Sequence, residues 1–155
     1  MLQLVRTTSE NLAFQALVRL LDQDLDARDG SEHGYYAPFN TIASLRHAVV
    51  AYQGGEPVGC GAFKEFEPGA VEIKRMYVAP ARRQRGVARA VLAELEAWAS
   101  ELGYAACVLE TGRRQPEAIA LYERSGYAHT PNYGQYVGID NSVCMRKALG
   151  TPLAG

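Results

Sequence analysis

Eight residues, Arg82-Arg83-Gln84-Arg85-Gly86-Val87-Ala88-Arg89, separate a stretch that alternates like a strand from one that repeats like a helix. A chain that leaves a strand, turns on a glycine and at once enters a helix gathers free backbone N–H groups and the positive end of the helix dipole at one point. Phosphate favours such a point, and four arginines within eight residues deepen the attraction. Read without a ligand, the same run is a solvated arginine turn capping a helix. Either way it constrains the fold. The helix is followed by the apolar, β-branched stretch Ala105 to Thr111, and strand, helix and strand in that order make a parallel crossover.

The 155 residues suit one domain, taken as 1–149 with 150–155 as a C-terminal tail, and leave no room for a second. A formal net charge of −1 supplies no global basic field, so the arginine run is a local feature that favours a small polyanion over nucleic acid. No stretch approaches the roughly 20 apolar residues that span a bilayer, so neither a membrane partner nor a location other than the cytoplasm is expected. Cys60, Cys107 and Cys144 are odd in number and far apart in apolar surroundings, which reads as buried reduced thiols. His33, His47 and His129 lack metal-ligand spacing, and no metal is expected.

The elements follow from periodicity. Leu2 to Arg6 alternates like a short strand. Ser9 can cap a helix whose apolar face is Leu12, Leu17, Leu20, Leu21 and Leu25, running to the acidic segment near Asp26. Residues 29–40 hold two glycines and a proline among aromatics and read as an irregular loop able to shape a binding site. A meander comes next: His47 to Gln53, a Gly54-Gly55 turn, Pro57 to Lys64, a Pro68-Gly69 turn, and Val71 to Val78. Val87, Val91, Leu92, Leu95, Trp98, Ala99 and Leu102 keep helical spacing until Gly103. After the buried strand Ala105 to Thr111, Pro116 opens a helix with Ala118, Ile119, Leu121 and Tyr122 inward, and Gly126 ends it. Strands around Tyr127 to Tyr133 and Ser142 to Lys147 close an α/β domain with a mixed sheet.

Other phosphate-binding loops are excluded by their residues. G-x-x-x-x-G-K-[ST] is absent, and Gly59-Cys60-Gly61 lacks the third glycine of G-x-G-x-x-G, where Lys64 stands, and continues as strand. What remains, Arg83 to Ala88, fits [Q/R]-x-x-G-x-[G/A].

Four ordered motifs together resemble the GCN5-related N-acetyltransferases over nearly the whole length. They are the strand Glu72-Ile73-Lys74-Arg75-Met76-Tyr77-Val78, the Arg83 to Ala88 run with its helix, the strand Val108-Leu109-Glu110-Thr111, and Ala118-Ile119-Ala120-Leu121-Tyr122-Glu123-Arg124-Ser125-Gly126-Tyr127. Leu109 to Gly112 and Asn141 to Lys147 resemble a bacterial branch of small, stand-alone members. The resemblance implies a mixed, mostly antiparallel sheet whose central parallel pair is splayed, with helices on both faces. It also implies acetyl-coenzyme A (acetyl-CoA) as donor. The pyrophosphate of CoA then rests on the backbone of Arg83, Gln84, Arg85, Gly86, Val87 and Ala88, with Arg82 and Arg89 adding peripheral charge. The pantetheine arm fills the splay as an extra strand against Met76, Tyr77 and Val78, whose N–H groups also polarise the thioester carbonyl.

The resemblance further implies Tyr122 as general acid beside the sulfur, against a plain core tyrosine, and Glu72 as general base, against a surface glutamate. Many members start the last helix with Asn; here Gln115 keeps the amide one methylene further out, as a contact to pantetheine or phosphate. For the acceptor, His33, Tyr35, Tyr36, Phe39, Tyr133 and Tyr136 can line a pocket for a small amine, or serve packing or a homodimer interface. The resulting expectation is transfer of acetyl to a small-molecule amine by direct attack, with Cys60 and Cys107 as the only rivals for a covalent route. The alternative is a non-catalytic acyl-CoA-binding sensor or regulatory module.

Overall fold

The computed structural model describes residues 1–29 and 45–150, so most of the predicted loop 29–40 and nearly all of the predicted tail fall outside the described residues. Seven strands form one mixed sheet in the order β1-β2-β3-β4-β5-β7-β6 with a single parallel pair, joined by three α-helices among the described residues. Two compact units share the chain: Met1–Lys64 with Lys74–Leu95, and Glu65–Ile73 with Glu96–Gly155. Strand β4 contributes to both.

In the first unit β1 (Leu2–Thr7) lies antiparallel to β2 (His47–Gln53), from Leu2↔Gln53 to Thr7↔Ala48. The Gly54-Gly55 turn, at φ 60 and 81, returns the chain as β3 (Glu56–Glu67), and a further turn at Gly69 leads into β4 (Ala70–Val78). Between β1 and β2 runs α1 (Leu12–Asp29), and its cap differs from expectation. Asn11, not Ser9, accepts from the Phe14 N–H at 3.0 Å, whereas Ser9 gives its N–H to the Leu45 carbonyl. The inner face also differs. Leu12 and Leu20 are 79% and 45% exposed, and the buried positions are Phe14, Leu17, Val18 and Leu21. That set obeys i, i+3, i+4, i+7, so spacing decides the face where leucine content misleads. These side chains pack with Val50, Cys60, Ala62 and Tyr77.

Helix α2 (Val87–Glu101) buries Val87, Val91, Leu92, Leu95 and Ala99, while Trp98 is half-buried and Leu102 stays half-exposed. The Gly59-Cys60-Gly61 stretch of β3 is explained by this packing. A Cβ on Gly61 would sit 2.9 Å from Leu95 and 3.0 Å from Val91, and one on Gly59 2.8 Å from Val87. The glycines let the helix lie close to the strand.

In the second unit β4 pairs in parallel with β5 (Ala106–Gly112), from Ala70↔Ala106 to Ile73↔Leu109. Strand β5 pairs antiparallel with β7 (Ser142–Ala148) along its full length. Strand β6 is only Ala128–Thr130, shorter than the predicted 127–133. Pro131 has no N–H for a ladder. The Asn132 side chain then donates to the Tyr136 and Ile139 carbonyls, both at 3.1 Å, and fixes a tight turn over Gly134–Tyr136. Helix α3 (Pro116–Arg124) starts on its proline and fully buries only Tyr122, with Ala118, Ile119 and Leu121 half-buried. Tyr127 and Lys147 both donate to Glu96 at the C-terminal half of α2, at 2.8 and 2.9 Å, and lock that helix end to β7.

Candidate active site

In the first unit the interest lies in β4 after its parallel ladder ends. The ladder stops at Ile73↔Leu109, yet β4 continues to Val78. Arg75 breaks the regular strand with φ 61, a left-handed value that costs a residue with a Cβ about 1–2 kcal/mol. Met76, Tyr77 and Val78 follow. Tyr77 turns its ring into the α1 core, so what this segment can offer a ligand is mainly backbone.

A tight turn over Pro80–Arg82 leads to the arginine run. Gln84 and Gly86 both hold left-handed φ, 64 and 84, and the Gly86 carbonyl takes the first helical bond, from Ala90 N–H at 3.0 Å. The N–H groups of Val87, Ala88 and Arg89 therefore belong to the helix's first turn, which has no intrahelical acceptors. Nothing lies within 4 Å of where a Gly86 Cβ would be, so open space adjoins these donors.

The arginines divide. Arg82 is committed to Gln53 at 2.6 Å and Glu56 at 3.1 Å. Arg83 donates from Nε to the Val78 carbonyl at 2.9 Å, stacks over Tyr77 at 5.5 Å and lies 3.8 Å from Asp24. One of the backbone acceptors expected to serve pantetheine is thus already engaged. Arg85 and Arg89 are exposed and enter no ion pair among the described residues. They, rather than Arg82, have side chains outside any ion pair among the described residues. First-turn amides without intrahelical acceptors, a left-handed glycine beside open space and these two cations make a donor set that suits a polyphosphate.

The second unit holds a polar cluster. Parallel register pairs Glu72 with Val108, and antiparallel register pairs Glu110 with Cys144. Since residues two apart on a strand share a face, Glu72, Glu110, Ser142 and Cys144 all project from one face of the sheet. Glu72 is only 3% exposed, which excludes the surface-glutamate reading, and accepts from the Tyr133 hydroxyl at 2.8 Å. Glu110, to which sequence reasoning gave no role, accepts from the Ser142 hydroxyl at 2.7 Å. Alternation within β5 and β7 was the signal that could have found it.

Tyrosines surround these carboxylates. Tyr133 meets Phe66 edge-on at 4.7 Å and Tyr136 at 5.7 Å. Tyr122 is 6% exposed, and burial followed by the charge of Glu110 pushes its hydroxyl well above the usual phenol range. Burial first, then Glu110 and Glu72, does the same to Tyr136, which places that ring within the field of both carboxylates. Gln115 precedes α3 without capping it, its side chain making no cap hydrogen bond. His33, Tyr35, Tyr36 and Phe39 lie outside the described residues. Cys60 and Cys107 are fully buried, and burial pushes each thiol up to about 12, so neither carries thiolate character near neutral pH.

Fold and donor set together define an α/β protein with a turn-to-helix donor set suited to a polyphosphate. The cofactor class and family follow from its relatives. Residues 14–127 match the model of the acetyltransferase (GNAT) family, and the chain belongs to that family of acetyl-CoA-dependent enzymes. It is 35% identical over 136 residues to an "IAA acetyltransferase" of Azospirillum brasilense, covering 86% of this chain and 88% of that protein. A Klebsiella pneumoniae structure described as a candidate acyl-CoA N-acyltransferase superposes with TM-score 0.81 at 31% identity, covering 97% of this chain and 99% of the other. A GNAT acetyltransferase from Elizabethkingia anophelis, solved with acetyl-CoA bound, shares the fold at TM-score 0.67 and 17% identity over 96% of this chain and 98% of that one.

Proposed function

We propose that this N-acetyltransferase passes the acetyl group of acetyl-CoA to the amine of a small molecule by direct attack on the thioester. The observation that carries the reading is the continuity of β4: past its ladder the strand delivers Met76, Tyr77 and Val78, and five residues later the cradle of Arg83 to Ala88 begins. Backbone donors suited to a carbonyl oxygen are thereby tied, within one unit, to backbone donors suited to a pyrophosphate.

Glu72 acts as general base. An alkyl ammonium of pKa about 10 must lose a proton before it attacks, and a buried carboxylate already oriented by Tyr133 takes that proton directly or through water. Tyr122 acts as hydrogen-bond donor to the departing sulfur. Gln115 contacts the pantetheine or a phosphate, and Tyr133 and Tyr136 wall the acceptor side. The direct route is supported by the thiols: with Cys60 and Cys107 held protonated, no described cysteine among the two is primed as a nucleophile.

Release of CoA over a panel of primary amines tests the reading. Tyr122→Phe is expected to lower kcat about 10- to 100-fold with little change in the KM for acetyl-CoA, and Glu72→Gln to lower the rate across pH 6 to 9. Tight acetyl-CoA binding without turnover on any amine would sustain the sensor reading instead, and an undiminished Tyr122→Phe rate would remove that residue from the mechanism.

A further inference from the structure

Arg75 is a buried charged side chain whose setting the acceptor, cradle and core do not explain. It lies inside β4 with left-handed φ 61, although it has a Cβ, and its side chain is only 4% exposed. Its guanidinium bonds to Asp22 of α1, while its Nε has no partner among the described residues. Its carbonyl accepts from the buried Cys60 thiol of β3 at 3.5 Å. A left-handed, non-glycine residue within a strand persists only where neighbours hold it, and here both its side chain and its carbonyl are held. All the groups concerned belong to the first unit.

We propose that Asp22, Arg75 and the Cys60 thiol form a positioning device that sets the backbone of Met76, Tyr77 and Val78 for the thioester carbonyl. A left-handed residue within a strand re-aims everything after it. Because Met76 follows Arg75 directly, the angle at Arg75 fixes where the next N–H groups point. Asp22 sits on α1, so the helix clamps that angle through a side chain that itself touches no substrate. Burial keeps the Cys60 thiol up at about 12 and hence protonated, which is the state in which it can donate to the Arg75 carbonyl. The inference rests on the reading that Met76 to Val78 receive the acetyl-thioester.

The test needs no acceptor. The carbonyl stretch of isotopically labelled acetyl-CoA is recorded by infrared difference spectroscopy, free and bound, alongside its Kd by calorimetry. The wild-type protein is expected to red-shift the stretch, as N–H donors polarise the carbonyl. Asp22→Asn is expected to lose most of that shift while Kd stays within about twofold, because the cradle is separate from the clamp and holds most of the ligand. Arg75→Gly is expected to lose the shift as well, although glycine adopts φ 61 freely, and Arg75→Lys to retain part of it.

If both Asp22→Asn and Arg75→Gly keep the wild-type shift, the clamp does no positioning and the inference is overturned. The same follows if the variants lose affinity instead of the shift. A wild-type protein that binds acetyl-CoA with no red shift overturns the reading of Met76 to Val78 itself, so failure of the clamp and failure of the thioester site are told apart.

Discussion

Replacing Gly86 by alanine separates what the backbone needs from what the ligand needs. At φ 84 the alanine pays the left-handed penalty, about 1–2 kcal/mol, which for a chain of this size lowers Tm by roughly 2–8 °C. No clash adds to this, since nothing lies within 4 Å of the new Cβ. The methyl group therefore enters only the open space that the proposed pyrophosphate requires. Displacing the anion enough to lose one charge-assisted amide hydrogen bond costs a further 1.5–3 kcal/mol, or about 10- to 150-fold in affinity. A matched control exists at Gly69, in the turn before β4, with φ 86 and equally open surroundings. Gly69→Ala should lower Tm comparably and leave CoA binding unchanged, whereas Gly86→Ala should lose both. Melting curves and calorimetric titration with CoA measure the two effects. Equal CoA affinity in the two variants would refute the cradle, however large the change in Tm.

The remaining predictions use charge and protonation. Arg85→Ala combined with Arg89→Ala should weaken CoA binding several-fold and flatten its dependence on ionic strength, while Arg82→Ala, whose guanidinium is spent on Gln53 and Glu56, should change binding little; titrations at two salt concentrations decide. The thiols of Cys60 and Cys107 should resist iodoacetamide at pH 8 until the protein is denatured, as mass spectrometry would show. Their folded pKa values of about 12 exceed the ordinary thiol value of 9.0, so above pH 9 the unfolded state holds fewer protons than the folded one, and denaturant midpoints should fall as pH rises from about 9 towards 12. A midpoint that rises over that window would contradict the burial of these groups.

Legibility in the sequence followed the range of the forces involved. The meander, the parallel crossover and α2 were readable because alternation, a two-residue glycine turn and i, i+3, i+4 spacing are local signals, and each agreed with its neighbours. The cap of α1 was misread because Thr8, Ser9 and Asn11 are all competent caps, and tertiary bonding of Ser9 to Leu45 settles which is used. Strand β6 was overrun because aromatic residues suited to strands continue to Tyr133, while Pro131 and the Asn132 side chain stop the ladder. Motif spacing picked out Arg83 to Ala88, Glu72 and Tyr122 as candidates. It gave no sign that Arg82 and Arg83 turn inward, since Gln53, Glu56 and Asp24 come from elements up to about sixty residues away in sequence. Arg75 was invisible for a related reason: a left-handed residue inside a strand has no sequence signature unless it is glycine.

The setting of Tyr122 narrows the role proposed for it at the leaving group. A general acid should lie near the pKa of the group it protonates, and a free phenol at about 10 is already a weaker acid than a thiol at about 8.5. Burial and Glu110 widen that gap by raising the phenol further, so complete transfer of its proton to a thiolate becomes more uphill, not less. The same two effects keep the hydroxyl protonated at every working pH, which suits a fixed donor. A donor of this kind stabilises sulfur as charge develops on it and needs no proton back at the end of the cycle. The thiolate then takes its proton from solvent on release, and the pH profile should carry no limb from Tyr122. On the proposed mechanism the carboxylate that perturbs the phenol matters: Glu110 keeps Tyr122 a donor, while Glu72, on the same face of the sheet, takes the proton of the attacking amine.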